Sequence, residues 1–124
     1  MRTINVSEAS LLVLDWLIAE IEGIKTYGPE DFREQRNHTV KHGEYVYRWS
    51  SSWTQGGGLK DKYGIISGPH QDGGYWAAIG KWPADDVFDD IGGAAGSTEL
   101  EAIARCIIVH YRGSQVQVPE GLPL

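Results

Sequence analysis

The amino-acid sequence predicts an α+β fold, in which two amphipathic helices cover a small, mostly antiparallel sheet. Apolar residues recur at helical spacing in two segments, at about residues 8–22 and 98–112. Short segments of alternating apolar and polar residues, which are typical of strands, lie before, between and after these helices. The chain has 124 residues, of which 41% are hydrophobic and 23% charged. This composition favours one globular domain over residues 1–124, with one hydrophobic core.

The N-terminal part is predicted to form a strand followed by the first helix. Residues 3–6 alternate between polar and apolar side chains, and Ser7 is suited to be the helix N-cap. Gly23 is suited to end the helix, because glycine readily adopts the left-handed conformation found after a helix C-terminus. The apolar stripe of this helix consists of Leu11, Leu14, Ile18 and Ile21.

Polar residues predominate from residue 24 to residue 43, and we expect this long segment to be mobile. Alternating aromatic residues predict a strand at 44–49, and a second strand is predicted at 75–79. Between these strands, Gly56–Gly58 predict a turn or loop, since three consecutive glycines weaken both helices and strands.

The second helix has the clearest pattern in the chain. Thr98 and Glu101 have the spacing of a capping box, Gly113 is suited to end the helix, and residues 115–118 alternate as a last strand. The apolar stripe of this helix consists of Leu100, Ile103, Ala104, Ile107, Ile108 and Tyr111. Cys106 lies at the edge of the stripe and is expected to be half-buried. Arg105 lies off the stripe and is expected to be exposed, where it pairs with Glu101 or faces a partner.

The charge and cysteine content exclude several classes of protein. The formal net charge is −6 and no cluster of basic residues is present, which argues against general nucleic-acid binding. A single cysteine allows no disulfide within the chain. The sequence contains no signal-peptide pattern and no apolar segment of membrane-spanning length. We therefore expect a cytoplasmic protein that binds no membrane.

An aromatic and glycine-rich segment at residues 45–58 is the strongest candidate for a binding surface. Tryptophan supplies flat apolar area, arginine and glutamine supply directed polar groups, and glycine lets a ligand approach the backbone closely. The predicted site consists of Arg48, Trp49, Trp53, Gln55, Gly56, Gly57 and Trp76. The alternative interpretation is that the tryptophans fill a small core and the glycines form a tight turn over it.

Two further hypotheses concern the remaining loops. The glycine-rich segments at 56–58 and 93–96 suggest the hypothesis of a small enzyme that binds a nucleotide or anion in these loops. Both segments lack the lysine of a phosphate-binding loop. Four aspartates at residues 85–90 surround Phe88. Such an acidic segment is ordinarily a solvated loop, and the alternative hypothesis is that it docks on a basic host partner with Phe88 as an apolar anchor.

The histidines and the cysteine do not form a recognisable metal or catalytic motif. His38 and His42 are four residues apart, whereas His70 and His110 are isolated in the sequence. Zinc sites require three or four converging ligands. We therefore predict no metal, no cofactor and no catalytic residue.

Three sequence blocks, taken in order, resemble the NinX-like family of small phage and prophage proteins. They are Leu-Asp-Trp-Leu-Ile-Ala-Glu-Ile-Glu-Gly at 14–23, Trp-Thr-Gln-Gly-Gly at 53–57, and Leu-Glu-Ala-Ile-Ala-Arg-Cys at 100–106 followed by Val-Gln-Val-Pro at 116–119. The resemblance implies a phage- or prophage-derived accessory protein of unknown activity. Together with the aromatic segment, it leads us to expect a non-enzymatic protein that binds a protein or a small molecule.

Overall fold

A computed structural model describes residues 2–24, 40–42, 45–71, 73–79 and 94–119, and it confirms the predicted α+β fold class. Within these ranges every strand pair is antiparallel. In chain order the elements are β1 (Arg2–Asn5), α1 (Leu11–Glu22), β2 (Val40–His42), β3 (Tyr45–Tyr47), α2 (Trp53–Tyr63), β4 (Ile65–Pro69), β5 (Tyr75–Ile79), β6 (Ala94–Gly96), α3 (Glu99–Arg112) and β7 (Gln115–Val118). The architecture differs from the prediction in two respects, a third helix and the division of the strands among several sheets.

In the described part of the chain the strands form three small sheets, with the orders β1–β7, β2–β3 and β4–β5–β6. The sequence pattern identifies strands but not their partners, and here the first and last strands pair with each other. Their register runs from Arg2 opposite Val118 to Asn5 opposite Gln115. The predicted strand at residues 75–79 is confirmed as β5, the central strand of the largest sheet.

Helix α1 begins later than predicted, because the N-cap is Ser10 and not Ser7. The Ser10 hydroxyl accepts a hydrogen bond from the Val13 N–H at 3.4 Å, whereas Ser7 lies in a short 3₁₀ turn at Val6–Glu8. Gly23 ends the helix with a φ of 73°, as the sequence predicts.

The predicted turn at Gly56–Gly58 is wrong, because all three glycines lie inside helix α2. A Cβ atom on Gly56 would lie 2.3 Å from the Trp49 carbonyl oxygen and 2.6 Å from Cδ2 of Leu100. The glycine therefore lets α2 approach the preceding turn and helix α3 more closely than any other residue would. Helix packing outweighs the low helix propensity of the triplet.

Helix α3 matches its prediction closely. Thr98 is the N-cap and its hydroxyl accepts a hydrogen bond from the Glu101 N–H at 3.2 Å. The predictions for two residues within the helix are wrong: Cys106 is fully buried and Arg105 is largely covered. Both errors have the same cause, since α3 is enclosed by β5, β6, α1 and the 3₁₀ turn and so has a wider buried face than its apolar stripe indicates.

One hydrophobic core joins the described elements. Helices α1 and α3 pack against each other, and α3 lies across the β4–β5–β6 sheet with α2 beside it. This packing brings the N-terminal ends of α1, α2 and α3 to one side of the molecule, where residues from all three line a common groove. The candidate site described below lies there.

Candidate binding groove at the N-terminal ends of three helices

A groove of about 660 Å³ lies where the three helices begin, and we name it the Leu11–Trp53 groove. Leu11 is the first residue of α1 and Trp53 the first residue of α2, and the N-cap and first turn of α3 also line the groove. The lining residues are Leu11, Ser50, Ser51, Trp53, Tyr75, Ser97, Thr98, Glu99, Leu100 and Glu101.

Two exposed apolar side chains form walls of the groove. Trp53 has 54% of its surface exposed and Leu11 has 43%. In the part of the chain that the structure describes, one other large hydrophobic residue, Tyr111, is as exposed, and it does not line the groove. Exposed apolar surface of this kind in one groove is characteristic of binding sites.

A buried carboxylate holds the part of the groove that Ser50 and Ser51 line. Asp15, which is 5% exposed, accepts a hydrogen bond from the Ser50 N–H at 2.8 Å, and the Ser50 hydroxyl donates to the Leu11 carbonyl at 3.2 Å. Burial raises the pKa of Asp15 to about 6, and the hydrogen bonds from Ser50 and the charge of Arg48 oppose this shift. Asp15 is not among the site residues predicted from the sequence, although its position within the apolar segment at residues 11–19 was a signal for it.

Carboxylates and hydroxyls at the start of α3 form the polar side. Glu99 accepts hydrogen bonds from the Ser67 hydroxyl at 2.6 Å and from Lys60 at 3.3 Å. The Ser67 hydrogen bond lowers the pKa of Glu99, with a smaller contribution from Lys60, so this carboxylate stays ionised. Glu101 pairs with Arg105 at 2.6 Å, which confirms the predicted ion pair, and it accepts a hydrogen bond from the Ser97 hydroxyl at 2.6 Å.

A second groove of about 880 Å³ meets the first at Tyr75, Ser97 and Glu101, which line both. Arg105 also lines it, with its donors directed to backbone carbonyls: Nε donates to Val6 at 3.2 Å, Nη1 to Ala95 at 3.0 Å and Nη2 to Ala9 at 3.2 Å. These bonds join the 3₁₀ turn and β6 to α3, and they give Arg105 a structural role.

Several residues of the predicted aromatic surface build the turn beneath Trp53. Trp49 is 6% exposed and stacks on Tyr47 with ring centroids 4.5 Å apart. The Gln55 side-chain carbonyl accepts a hydrogen bond from the Arg48 N–H. Gly56 is buried at the contact with Trp49 described above. For Trp49 and Gly56, therefore, the alternative interpretation of core and close packing is the one that agrees with their burial.

The other predicted residues fall in different places. Arg48 is exposed. Gly57 is half-buried beside the Trp53 ring, and a Cβ atom added to Gly57 would lie 3.6 Å from Cε3 of Trp53. Trp76 is on the far face of the β4–β5–β6 sheet, because its neighbours Tyr75 and Ala77 face the core and strand residues alternate. Its ring lies against Gly68. The structure thus does not bring Trp76 together with Trp53.

The glycine-rich loops proposed for nucleotide binding are not loops in the described residues. Gly56–Gly58 lie in α2, and Ala94–Gly96 form β6, which pairs with β5. Cys106 is fully buried, and burial raises the pKa of its thiol to about 11, which disfavours the nucleophilic thiolate.

Some predictions lie wholly or partly outside the described residues. The acidic segment at 85–90, His38, Gly93 and residues 25–39 are among them. His42 lies in strand β2, so its separation of four residues from His38 is not a helical spacing at that position.

Comparison with protein-family models and with curated proteins gives no match to this chain. In the described ranges no helix has the length and apolar character needed to cross a lipid bilayer.

Proposed function

We propose that this chain is a phage- or prophage-derived accessory protein that acts in the bacterial cytoplasm by binding a partner, without catalysing a reaction. The phage origin is supported by the resemblance of the three sequence blocks to the NinX-like family. The binding role is supported by the Leu11–Trp53 groove. Of the predicted site residues, Trp53 carries the proposal. Trp49, Gln55 and Gly56 pack and hydrogen-bond in the turn that leads into Trp53.

The single observation behind the binding role is the exposure of Trp53 (54%) and Leu11 (43%) on one groove. Covering a large apolar side chain contributes roughly 1.5–3 kcal/mol, so leaving both in water forgoes stability that burial would provide. The turn beneath them is tied to α1 through Asp15 and Ser50, which holds the groove in a defined shape. A preformed groove with exposed apolar walls favours binding over a purely structural role.

The test is the dependence of partner binding on Trp53. Candidate partners, purified after affinity capture from the bacterial host, are titrated against the protein while the tryptophan fluorescence is followed. We expect Trp53→Ala to weaken binding at least tenfold, because the indole is the largest exposed apolar group in the groove.

Tyr111→Ala is the matched control, since Tyr111 is 47% exposed and lies outside the groove. It should bind like the wild type. The circular dichroism spectrum and melting temperature of both variants establish that they are folded. Equal binding by wild type and a folded Trp53→Ala variant, for every partner captured, would refute this proposal.

A further inference from the structure

We infer that the Leu11–Trp53 groove takes an uncharged, polyhydroxylated ring compound, that is, a neutral saccharide. This inference rests on the proposed binding function and specifies its ligand class. Three properties of the groove lead to it: its charge balance, its hydrogen-bonding groups and its flat apolar wall.

The charges around the groove are balanced within the protein. Each carboxylate on the α3 side has its own cation, Lys60 for Glu99 at 3.3 Å and Arg105 for Glu101 at 2.6 Å. A cationic ligand would compete with Lys60 and Arg105 and meet the positive ends of the helix dipoles, whereas a phosphate would meet the carboxylates of Glu99 and Glu101. Both charge types are therefore disfavoured relative to a neutral ligand.

The polar side is rich in acceptors. The Ser97 hydroxyl already donates its proton to Glu101, so its remaining capacity is to accept. The carboxylates of Glu99 and Glu101 are acceptors alone and have more lone-pair sites than their partners occupy. The Thr98 oxygen accepts from the Glu101 N–H, which leaves its proton to be donated. Such a wall suits a ligand with several hydroxyls, each able to donate and to accept.

The apolar wall requires a flat partner surface. Trp53 has 54% of its surface exposed, and Leu11 lines the same groove. A pyranose ring presents C–H groups on one face and hydroxyls at its edge. It can thus cover the indole while its edge contacts the serine, threonine and carboxylate oxygens.

The size of the site indicates more than one ring. The groove of about 660 Å³ continues into the groove of about 880 Å³ across Tyr75 and Ser97. Each volume is within the ~300–1,000 Å³ typical of small-molecule pockets, and the shared lining residues place the two grooves side by side. Two adjoining grooves of this size have room for an oligosaccharide of a few rings.

The experiment is an array of neutral oligosaccharides of two to six rings, followed by fluorescence titration with the sugars that bind. We expect at least one neutral sugar to bind, with a dissociation constant that Trp53→Ala raises at least tenfold. The dissociation constant of Trp53→Phe, which keeps a smaller aromatic face, should lie between those of the wild type and Trp53→Ala. That of Tyr111→Ala should match the wild type. Raising the salt concentration from 50 to 500 mM should change the affinity less than twofold, because a neutral ligand makes no ion pair.

The outcomes separate this inference from the proposed function. If no neutral sugar on the array gives a Trp53-dependent signal at 10 mM, the saccharide assignment is overturned. If a protein, peptide or nucleotide binds in a Trp53-dependent manner while the sugars do not, the assignment is also overturned but the binding function stands. If a folded Trp53→Ala variant binds every captured partner and every sugar as the wild type does, both fail.

Discussion

At the scale of single residues, Asp15 is a charged side chain that the fold places in a buried, apolar environment. It lies in α1 among buried apolar residues, and its carboxylate holds the Ser50 N–H of the turn that leads into Trp53. Burial disfavours the charged form, so the pKa rises from 3.8 to about 6. Asp15 therefore holds the turn beside the groove in place, and its ionisation lowers the free energy of unfolding at neutral pH.

We predict that the relative stability of Asp15→Asn depends on pH. Because the folded-state pKa is raised, the favourable contribution of Asp15 is fully present below about pH 3.8 and is lost as the pH rises to about 6. The free energy of unfolding of Asp15→Asn, measured against the wild type in urea, should thus increase between pH 4 and pH 7. The difference between the pKa values of 3.8 and about 6 corresponds to a change of about 3 kcal/mol in the free energy of unfolding.

Asp61→Asn, the same substitution at an exposed position of α2, is the control for the chemical change. A constant difference between Asp15→Asn and the wild type across this pH range would contradict the assignment of a raised pKa.

Arg105 joins three parts of the chain through one planar group. Its guanidinium donates to the carbonyls of Val6, Ala9 and Ala95 from three different nitrogen atoms. A lysine cannot replace these bonds, because its N–H groups all belong to one ammonium nitrogen. We expect Arg105→Lys to lower the free energy of unfolding by roughly 2–4 kcal/mol, measured by denaturant titration. Arg112→Lys, at an exposed position of the same helix, should change it by less than about 0.5 kcal/mol. A fully stable Arg105→Lys variant would show that these bonds contribute little.

At the scale of elements, α2 shows how packing selects a helix from a sequence that disfavours one. Its three consecutive glycines have low helix propensity, but they differ in what surrounds them. Gly56 is in contact with the Trp49 backbone and Leu100, whereas a Cβ atom added to Gly58 would have no other group within 4 Å. The triplet thus combines one glycine that packing requires with one that packing does not.

The two glycines give a matched pair of alanine variants. Gly58→Ala should raise the free energy of unfolding by about 0.5–1 kcal/mol, because alanine stabilises an exposed helical position. Gly56→Ala should lower it by about 2 kcal/mol or more, because its Cβ would lie 2.3 Å from the Trp49 carbonyl oxygen. Thermal and urea denaturation measure both. Equal effects of the two substitutions would contradict the close contact at Gly56.

At the scale of the whole molecule, the pairing of β1 with β7 brings the two ends of the described chain together. The alternation of β7 is clear: Val116 and Val118 are buried while Gln115 and Gln117 are exposed. Val118 is fully buried and lies opposite Arg2 in the register. Because this pairing has a large sequence separation, it depends on the rest of the fold being formed.

We predict that Val118→Ala destabilises the whole molecule by roughly 1–3 kcal/mol, since it removes buried methyl groups and leaves a cavity. The neighbouring Gln117→Ala, on the exposed face of the same strand, should change stability by less than about 0.5 kcal/mol. A single cooperative transition shifted by Val118→Ala is expected in thermal denaturation. Loss of the β1–β7 pair alone, with an unchanged main transition, would contradict this account.

The sequence alone determined the features that depend on local pattern. Helix α3, its Thr98 cap and strand β5 could be predicted because periodicity and capping involve neighbours within one or two turns. The α+β class could be predicted for the same reason. The exposure of Trp53 could not, because Trp49 and Trp53 belong to the same aromatic segment, and contacts with distant residues decide that Trp49 is buried and Trp53 exposed.

Only the tertiary structure decided which of these residues share a site. The Leu11–Trp53 groove joins residues from positions 11, 53 and 99, and no local pattern relates the starts of three helices. Gly56 in a helix, Asp15 beneath the groove and Arg105 among three carbonyls each depend on a contact distant in sequence. The physical reason is common to all three: close packing and desolvation act between segments that the fold alone brings together.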